Sequence, residues 1–101
     1  LVRHFFDAKK PVGAICIAPA LVALALRGRA SAHLTLGNDP GVAAAMKALG
    51  QHHEATPSAR DIVIDEANKL VTTPAYMFDD AKLSDVFVGI GRCVAEVIER
   101  V

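Results

Sequence analysis

Hydrophobic and polar positions change period several times along the chain, and each change marks an element. Apolar Leu1, Val2, Phe5 and Phe6 interleave with charged Arg3, Asp7, Lys9 and Lys10 at helical spacing, so the chain opens in the closing turns of a helix that Pro11 ends. Val12-Gly13-Ala14-Ile15 is small or β-branched without polar alternation, the pattern of a central parallel strand covered on both faces. The run Ala18 to Leu26 is rich in helix formers, tolerates Pro19 in its first turn and stops by Gly28. Strand, sharp turn and helix follow one another directly.

Ala32 to Leu36 predicts a second short strand. Gly37-Asn38-Asp39-Pro40 closes it, and Asn38 or Asp39 caps a helix running from about Pro40 to Leu49, with Val42, Ala45, Met46 and Leu49 as its apolar face and Gly50 as its stop. Gln51 to Ala59 is polar and predicts a loop. Asp61 to Asp65 and Leu70 to Thr73 read as strands around the tight connection Glu66-Ala67-Asn68-Lys69, which makes a hairpin. After a break at Pro74 to Met77, the residues Leu83, Val86, Phe87, Ile90, Val94, Val97, Ile98 and Val101 recur in steps of three and four. A long amphipathic helix from Lys82 therefore closes the chain. Alternating strands and helices predict a parallel sheet with helices on its faces. Two strands and a hairpin fall short of the roughly five strands of a doubly wound sheet, so the sheet reads as half built.

Composition narrows the picture. A chain of 101 residues without linker, repeat or low-complexity tract accommodates one domain. Hydrophobic residues make up 52% but aromatics only 5%, so the core is built from Ala, Val, Leu and Ile. Eleven basic residues against eleven acidic ones leave no electrostatic footprint for nucleic acid or an acidic membrane. No apolar run reaches the roughly eighteen residues of a bilayer span, and the start lacks the order of a secretory signal. Two cysteines are too few for a disulfide framework, which suits a reducing compartment.

Among residues that carry chemistry, Cys16 stands out. It follows the first strand and precedes a helix, where ligands gather in open α/β sheets and the partial positive charge of a helix start favours a thiolate. Free cysteine is also among the most buried residue types, so spacing leaves two readings open, a nucleophile at a turn or packing in a core. Cys93 lies in an apolar helical run beside Arg92 and reads as packing. His52-His53-Glu54 lacks the spacing of a zinc site and falls in the polar loop, while His4 and His33 stand alone and carry no mechanism. Gly37-Asn38-Asp39-Pro40 is either a plain strand-to-helix connection or, from the carboxyl end of the neighbouring strand, a border to Cys16. Gly89 and Gly91 sit inside a helix rather than after a strand, which excludes a dinucleotide fingerprint and predicts close helix packing.

Taken together, Lys10 to Ala20 with its Cys-Ile-Ala-Pro string, Leu34 to Asp39, Asp61 to Asp65, and Asn68 to Met77 with its Thr-Thr-Pro-Ala-Tyr-Met string resemble the ElbB family. That family is the glyoxalase-like branch of the ThiJ/PfpI superfamily. The resemblance implies an α/β, flavodoxin-like three-layer parallel sheet of the class I glutamine amidotransferase-like type with a β-hairpin, residues 1–101 forming the C-terminal half of that domain. It implies that Cys16 is the elbow nucleophile and that Ile17, Asn38, Asp39 and Pro74 line the site. A carboxylate and a glycine-rich oxyanion loop are then expected upstream of Leu1. Many relatives place a histidine directly after the cysteine or in the loop ending the next strand; here Ile17 and, approximately, Gly37-Asn38 hold those places, which argues against amidotransferase or peptidase chemistry.

The function so implied is conversion of glyoxal or methylglyoxal to 2-hydroxy acids, without glutathione, metal or other cofactor. The alternative is a non-catalytic or redox-sensing protein linked to isoprenoid metabolism. Expected partners are a small dicarbonyl substrate and, in the complete protein, a second copy in a homodimer, with neither nucleic acid nor membrane. The expected location is the cytoplasm or, alternatively, the mitochondrial matrix. Alone, the chain lacks half its site, so it is expected to be inactive and, through its open strand edge, to associate.

Overall fold

In the computed structural model, which describes residues 1–101, the chain runs α1 (Val2–Asp7), β1 (Val12–Ile15), α2 (Ala18–Ala25), β2 (His33–Leu34), α3 (Pro40–Ala48), β3 (His52–His53), β4 (Val63–Asp65), β5 (Leu70–Thr73), a 3-10 turn at Ala75–Met77, and α4 (Leu83–Glu99). Local chemistry sets several of these ends. The Asp39 carboxylate accepts a hydrogen bond from the Gly41 N–H at 2.8 Å and so caps α3, which decides between the two candidate caps. Gly28 and Gly50, at φ 78° and 81°, take the left-handed conformation that lets the chain leave α2 and α3.

β5 is the middle strand of the main sheet. β1 pairs with it in parallel, Val12 beside Leu70 through Ile15 beside Thr73, and β4 returns antiparallel on its other side, completing the expected hairpin. Side-chain alternation along β1 then assigns the layers. Ala14 joins Val22, Leu26, Ala32 and Leu70, with Val2 and Phe6 of α1 packed alongside. Gly13 turns to the other face, where a Cβ would meet Val97 and Cys93 of α4. Helices therefore cover both faces of the sheet, as expected of a three-layer α/β fold.

Within these 101 residues β1 has one strand partner, not two. Val12 N–H donates to Lys69 O and Cys16 N–H to Thr73 O, so the intervening Gly13 and Ile15 turn their backbone groups away from β5. The strand expected to be central is here an edge.

The segment expected as a loop holds a strand. β3 pairs in parallel with β2, His33 beside His52 and Leu34 beside His53. Gln51 organises the pair from a buried position: its Oε1 accepts from the Ala32 N–H at 2.6 Å, and its Nε2 donates to Ala30 O at 3.1 Å and Ala23 O at 3.3 Å. β2 is shorter than expected because side chains take the place of a strand ladder. Thr35 N–H donates to Thr72 Oγ1 at 3.0 Å, Leu36 N–H to His53 Nε2 at 2.9 Å, and His33 N–H to Asp65 Oδ2 at 2.7 Å. Burial lowers the His53 pKa, only partly opposed by Glu54, and so favours the neutral ring that this acceptor role requires.

Asp65 thus ties the small sheet to the hairpin. Burial by itself raises its pKa, but hydrogen bonds from the Asn68 side chain, the His33 backbone and the Asn68 backbone outweigh that and hold the carboxyl below its usual range. A folded-state pKa below the unfolded one means that the carboxylate's contribution is complete above the unfolded value of about 3.9. It is lost as the pH falls through the folded value. Asp65→Ala should cost about 2 kcal/mol at pH 7 and flatten the acid limb of the stability profile, as measured by urea midpoints from pH 7 down to 2. A variant whose profile runs parallel to that of the parent would contradict the assignment.

α4 meets the sheet through Val86, Gly89 and Cys93, all buried, whereas Leu83, Phe87, Val94 and Ile98 are largely exposed. The apolar stripe predicted along this helix thus divides in two. Only small side chains fit where the helix crosses the sheet, so the bulky ones fall on its flank.

Candidate functional site

The strand-to-helix turn after β1 is strained at one residue. Cys16 has φ 65°, a left-handed conformation that a side chain normally avoids, and its N–H donates to Thr73 O at 3.0 Å. Ile17 follows in right-handed helical conformation and Ala18 opens α2, with Pro19 buried in its first turn. The strained φ reverses the chain within a single residue and leaves the cysteine at the carboxyl end of β1, partly accessible. Cys16 packs with Ile15, Phe78, Ala81 and Ile90 against buried Ala59, Ala75 and Val86.

A second strained residue lies beside it. Ala75, at φ 46°, follows Pro74 at the carboxyl end of β5, the strand paired with β1. Non-glycine residues in this region cost roughly 1–3 kcal/mol each and gather where a site over-determines the backbone. Of the four non-glycine residues at positive φ, Cys16 and Ala75 meet here at the carboxyl ends of adjacent strands, and Lys9 and Lys69 share a cleft at the amino ends of the same two strands. Ala75 escaped the sequence reading because nothing about alanine signals a positive φ; the proline before it was the available hint.

The other expected site residues fall at different depths. Ile17 is 58% exposed at the rim. Pro74 is fully buried and starts the 3-10 turn, so it shapes the loop from below. Asn38 and Asp39 are exposed, and the Asp39 carboxylate is engaged as the α3 cap. Gly37, just before them, has φ 108° and faces the ring of Phe78, which itself packs in the Cys16 cluster. The Gly37 loop therefore approaches the elbow through Phe78.

Thr73 carries more than the sequence suggested. Its carbonyl holds the Cys16 N–H, its hydroxyl donates to Asp61 O at 2.9 Å, and it lies where α4 crosses at Gly89. Two threonines in a fully buried strand were the signal, since each hydroxyl there must find a partner.

The remaining candidates settle apart from the elbow. Cys93 is buried, its thiol donates to Val71 O at 3.5 Å, and burial raises its pKa above the usual range despite an opposing backbone bond involving Ala14. It packs, as expected. His33 and His52 stack face to face with ring centroids 4.7 Å apart, His33 Nδ1 lies 3.6 Å from Glu54, and His4 lies in α1. No three histidine, cysteine or acidic side chains converge as metal ligands, and no helix is long and apolar enough to cross a membrane.

No family model matches the chain, but individual relatives do. The human glutamine amidotransferase-like class 1 domain-containing protein 3, mitochondrial, is 38% identical over 111 residues, and the Rattus norvegicus ES1 protein homolog, mitochondrial, is 36% identical over 108. Each alignment covers 98% of this chain but only 38% and 39% of the respective relative. The chain thus spans about two fifths of the length of the curated relatives it matches. The crystal structure of an isoprenoid biosynthesis protein with amidotransferase-like domain from Ehrlichia chaffeensis superposes with a TM-score of 0.88 at 33% identity, over 98% of this chain and 45% of that one. That likeness establishes the fold class.

Proposed function

We propose, on the premise that the chain belongs among the class I glutamine amidotransferase-like, ThiJ-type proteins, that it carries the nucleophile of an ElbB-type, glutathione-independent glyoxalase. The observation that carries this reading is the half-buried cysteine at φ 65° between β1 and α2. Left-handed residues also close the turns at Lys9 and Lys69, but at a strand-to-helix turn such a φ has a further use, presenting a nucleophile at the end of the sheet.

The steps are those of an internal redox exchange. The Cys16 sulfur bonds to the aldehyde carbon of glyoxal, and the carbonyl oxygen takes up a proton, giving a hemithioacetal. A base removes the hydrogen from that carbon, and a proton returns to the neighbouring carbon through an enediol, leaving a thioester of the 2-hydroxy acid. Water then cleaves the thioester, releasing glycolate and the free thiol. One water is consumed, one carbon is oxidised as its neighbour is reduced, and no outside oxidant, metal or glutathione takes part. The base and the oxyanion-binding amides belong, in this reading, to the three fifths of the longer relatives that the chain does not span. Ile17, Asn38 and Asp39 would border the substrate, with Pro74 beneath it.

The test is glycolate formation from glyoxal without glutathione by the protein as encoded in full; absence of product, with the fold intact, removes the proposal. A second reading is a redox-sensing or binding protein of isoprenoid metabolism, and the name of the Ehrlichia chaffeensis neighbour supports its isoprenoid link. Mass spectrometry of Cys16 after mild peroxide separates the two, because a sensor accumulates the sulfenic or sulfinic acid while making no glycolate. The mitochondrial names of the relatives favour the mitochondrial matrix over the cytoplasm, which cell fractionation checks.

A further inference from the structure

The 3-10 turn after β5 crosses the carboxyl end of the sheet. Ala75, its first residue, is buried with Ala59 and Val86 under α4, whereas Met77, two residues on, packs on the α2 and α3 side with Ala23, Leu34, Leu36 and Met46. Phe78 spans the same gap. Its side chain packs against the cluster of Ala59, Ala75 and Val86, while the tip of its ring, Cζ and Cε2, lies 3.7 Å from where a Cβ on Gly37 would sit. Ile15, the last residue of β1, pairs with Thr73 of β5, so a ring lying over the end of β5 stands beside the turn that carries Cys16. Cys16 packs against the same cluster as the ring.

Both supports of that ring are fixed. The Gly37 N–H donates to Thr35 Oγ1 at 3.1 Å, its carbonyl accepts from the Thr56 N–H at 3.1 Å, and the hydroxyls of Thr35 and Thr56 lie 3.1 Å apart. Thr35 N–H in turn donates to Thr72 Oγ1 at 3.0 Å, and all three threonines are buried. Gly37 is thereby tied to β5, the strand beneath the ring. At the other end, Ala75 at φ 46° sets the direction of the turn, and Phe78 O accepts from the Ala81 N–H at 3.1 Å. Phe78 is half-buried, so the ring keeps an open side. Ile17 and Tyr76, at 58% and 55% exposed, are free to swing aside, and Pro74 lies buried beneath. Phe78 is therefore the bulky side chain at this strand end that is both braced and open, and with no polar atom it acts on a reactant by volume alone.

We infer that Phe78 sets the size of the electrophile that reaches Cys16, admitting compact carbonyl compounds such as glyoxal and methylglyoxal and turning away aryl ones such as phenylglyoxal. This size limit deepens the function proposed above and rests on it only in taking Cys16 as the reacting group, whatever product is formed. A braced apolar wall discriminates by shape: a single methylene too many costs on the order of 10-fold or more in rate, and an aromatic ring exceeds that.

Alkylation of Cys16 in the protein as encoded in full tests the size limit without turnover, with the Cys16 peptide followed by mass spectrometry. Rates with iodoacetamide and with N-phenylmaleimide are each divided by the rate of the same reagent with free N-acetylcysteine. In the parent the aryl reagent should lag by about tenfold or more. Phe78→Ala should raise the aryl-to-small ratio by about tenfold, and Phe78→Leu, which keeps most of the packing against Ala59, Ala75 and Val86, by about threefold. General loosening of the fold would speed both reagents alike and leave the ratio unmoved. A parent that does not discriminate overturns the inference, and so does a ratio that stays within about twofold of the parent's in both variants. If the ratio moves as expected while the protein makes no glycolate, the glyoxalase reading falls and the size limit stands.

Discussion

Under the proposed glyoxalase chemistry, replacing Cys16 by alanine should lower kcat/KM for glyoxal in the full protein by on the order of 10⁴-fold or more while leaving the fold in place. The size follows from the role. A residue that forms the covalent intermediate leaves no route through hemithioacetal and thioester when its sulfur is gone, whereas a packing residue leaves the chemistry untouched. A loss of tenfold or less would show that the sulfur is not the nucleophile. Stability supplies an independent readout. Cys16→Gly removes the left-handed penalty of roughly 1 kcal/mol and loses contacts with Ala59, Ala75 and Val86, so it should lie within about 1 kcal/mol of the parent. Cys16→Val forces a β-branched side chain to the same φ and should cost roughly 2–3 kcal/mol, measured by urea unfolding. If valine is tolerated as well as glycine, the turn is not strained and the elbow argument loses its footing.

Why the turn around Cys16 was legible from sequence, and its surroundings were not, follows from the kinds of interaction involved. Local patterns reported themselves well. A β-branched run, a cysteine, and an alanine-rich helix with an early proline gave β1, the turn and α2 nearly to the residue, and the hairpin around Asn68 and Lys69 was equally plain. Periodicity failed where side chains replace backbone partners. Gln51 looked like loop polarity, yet its amide joins Ala32 to Ala30 and Ala23 and makes room for β3. Asp65 looked like the end of a strand, yet it completes the far edge of β2. Such bonds reach across 19 to 32 positions in the chain, beyond anything a local pattern encodes.

α4 shows a different limit. Steps of three and four announced an amphipathic helix, but they could not say that its smallest residues face the sheet and its largest stand aside. Size, and not hydrophobicity, chose the buried face. The same constraint governs the approach of two backbones at Gly89, where the largest effect on folding is expected.

Gly89→Ala should destabilise the fold by about 3 kcal/mol, at the upper end for overpacking. For a domain of this size that corresponds to a fall in Tm of roughly 10–20 °C. A Cβ at Gly89 would overlap the Ala59 carbonyl oxygen outright and come within 2.8 Å of Thr73 Oγ1. A flexible side chain could yield, but a backbone carbonyl cannot, and Thr73 is held by its bond to Asp61 O. Relief therefore requires α4 to lift from the sheet, which loosens Val86 and Ile90 against the Cys16 cluster. Gly91→Ala is the matched control, since a Cβ there meets nothing within 4 Å of this chain and alanine favours helix by up to about 1 kcal/mol. Two glycines two residues apart thus respond with opposite sign to the same added methyl. Equal shifts in thermal melts would mean that helix propensity, and not contact with Ala59, sets the response, and that α4 does not lie as close to the sheet as its glycine allows.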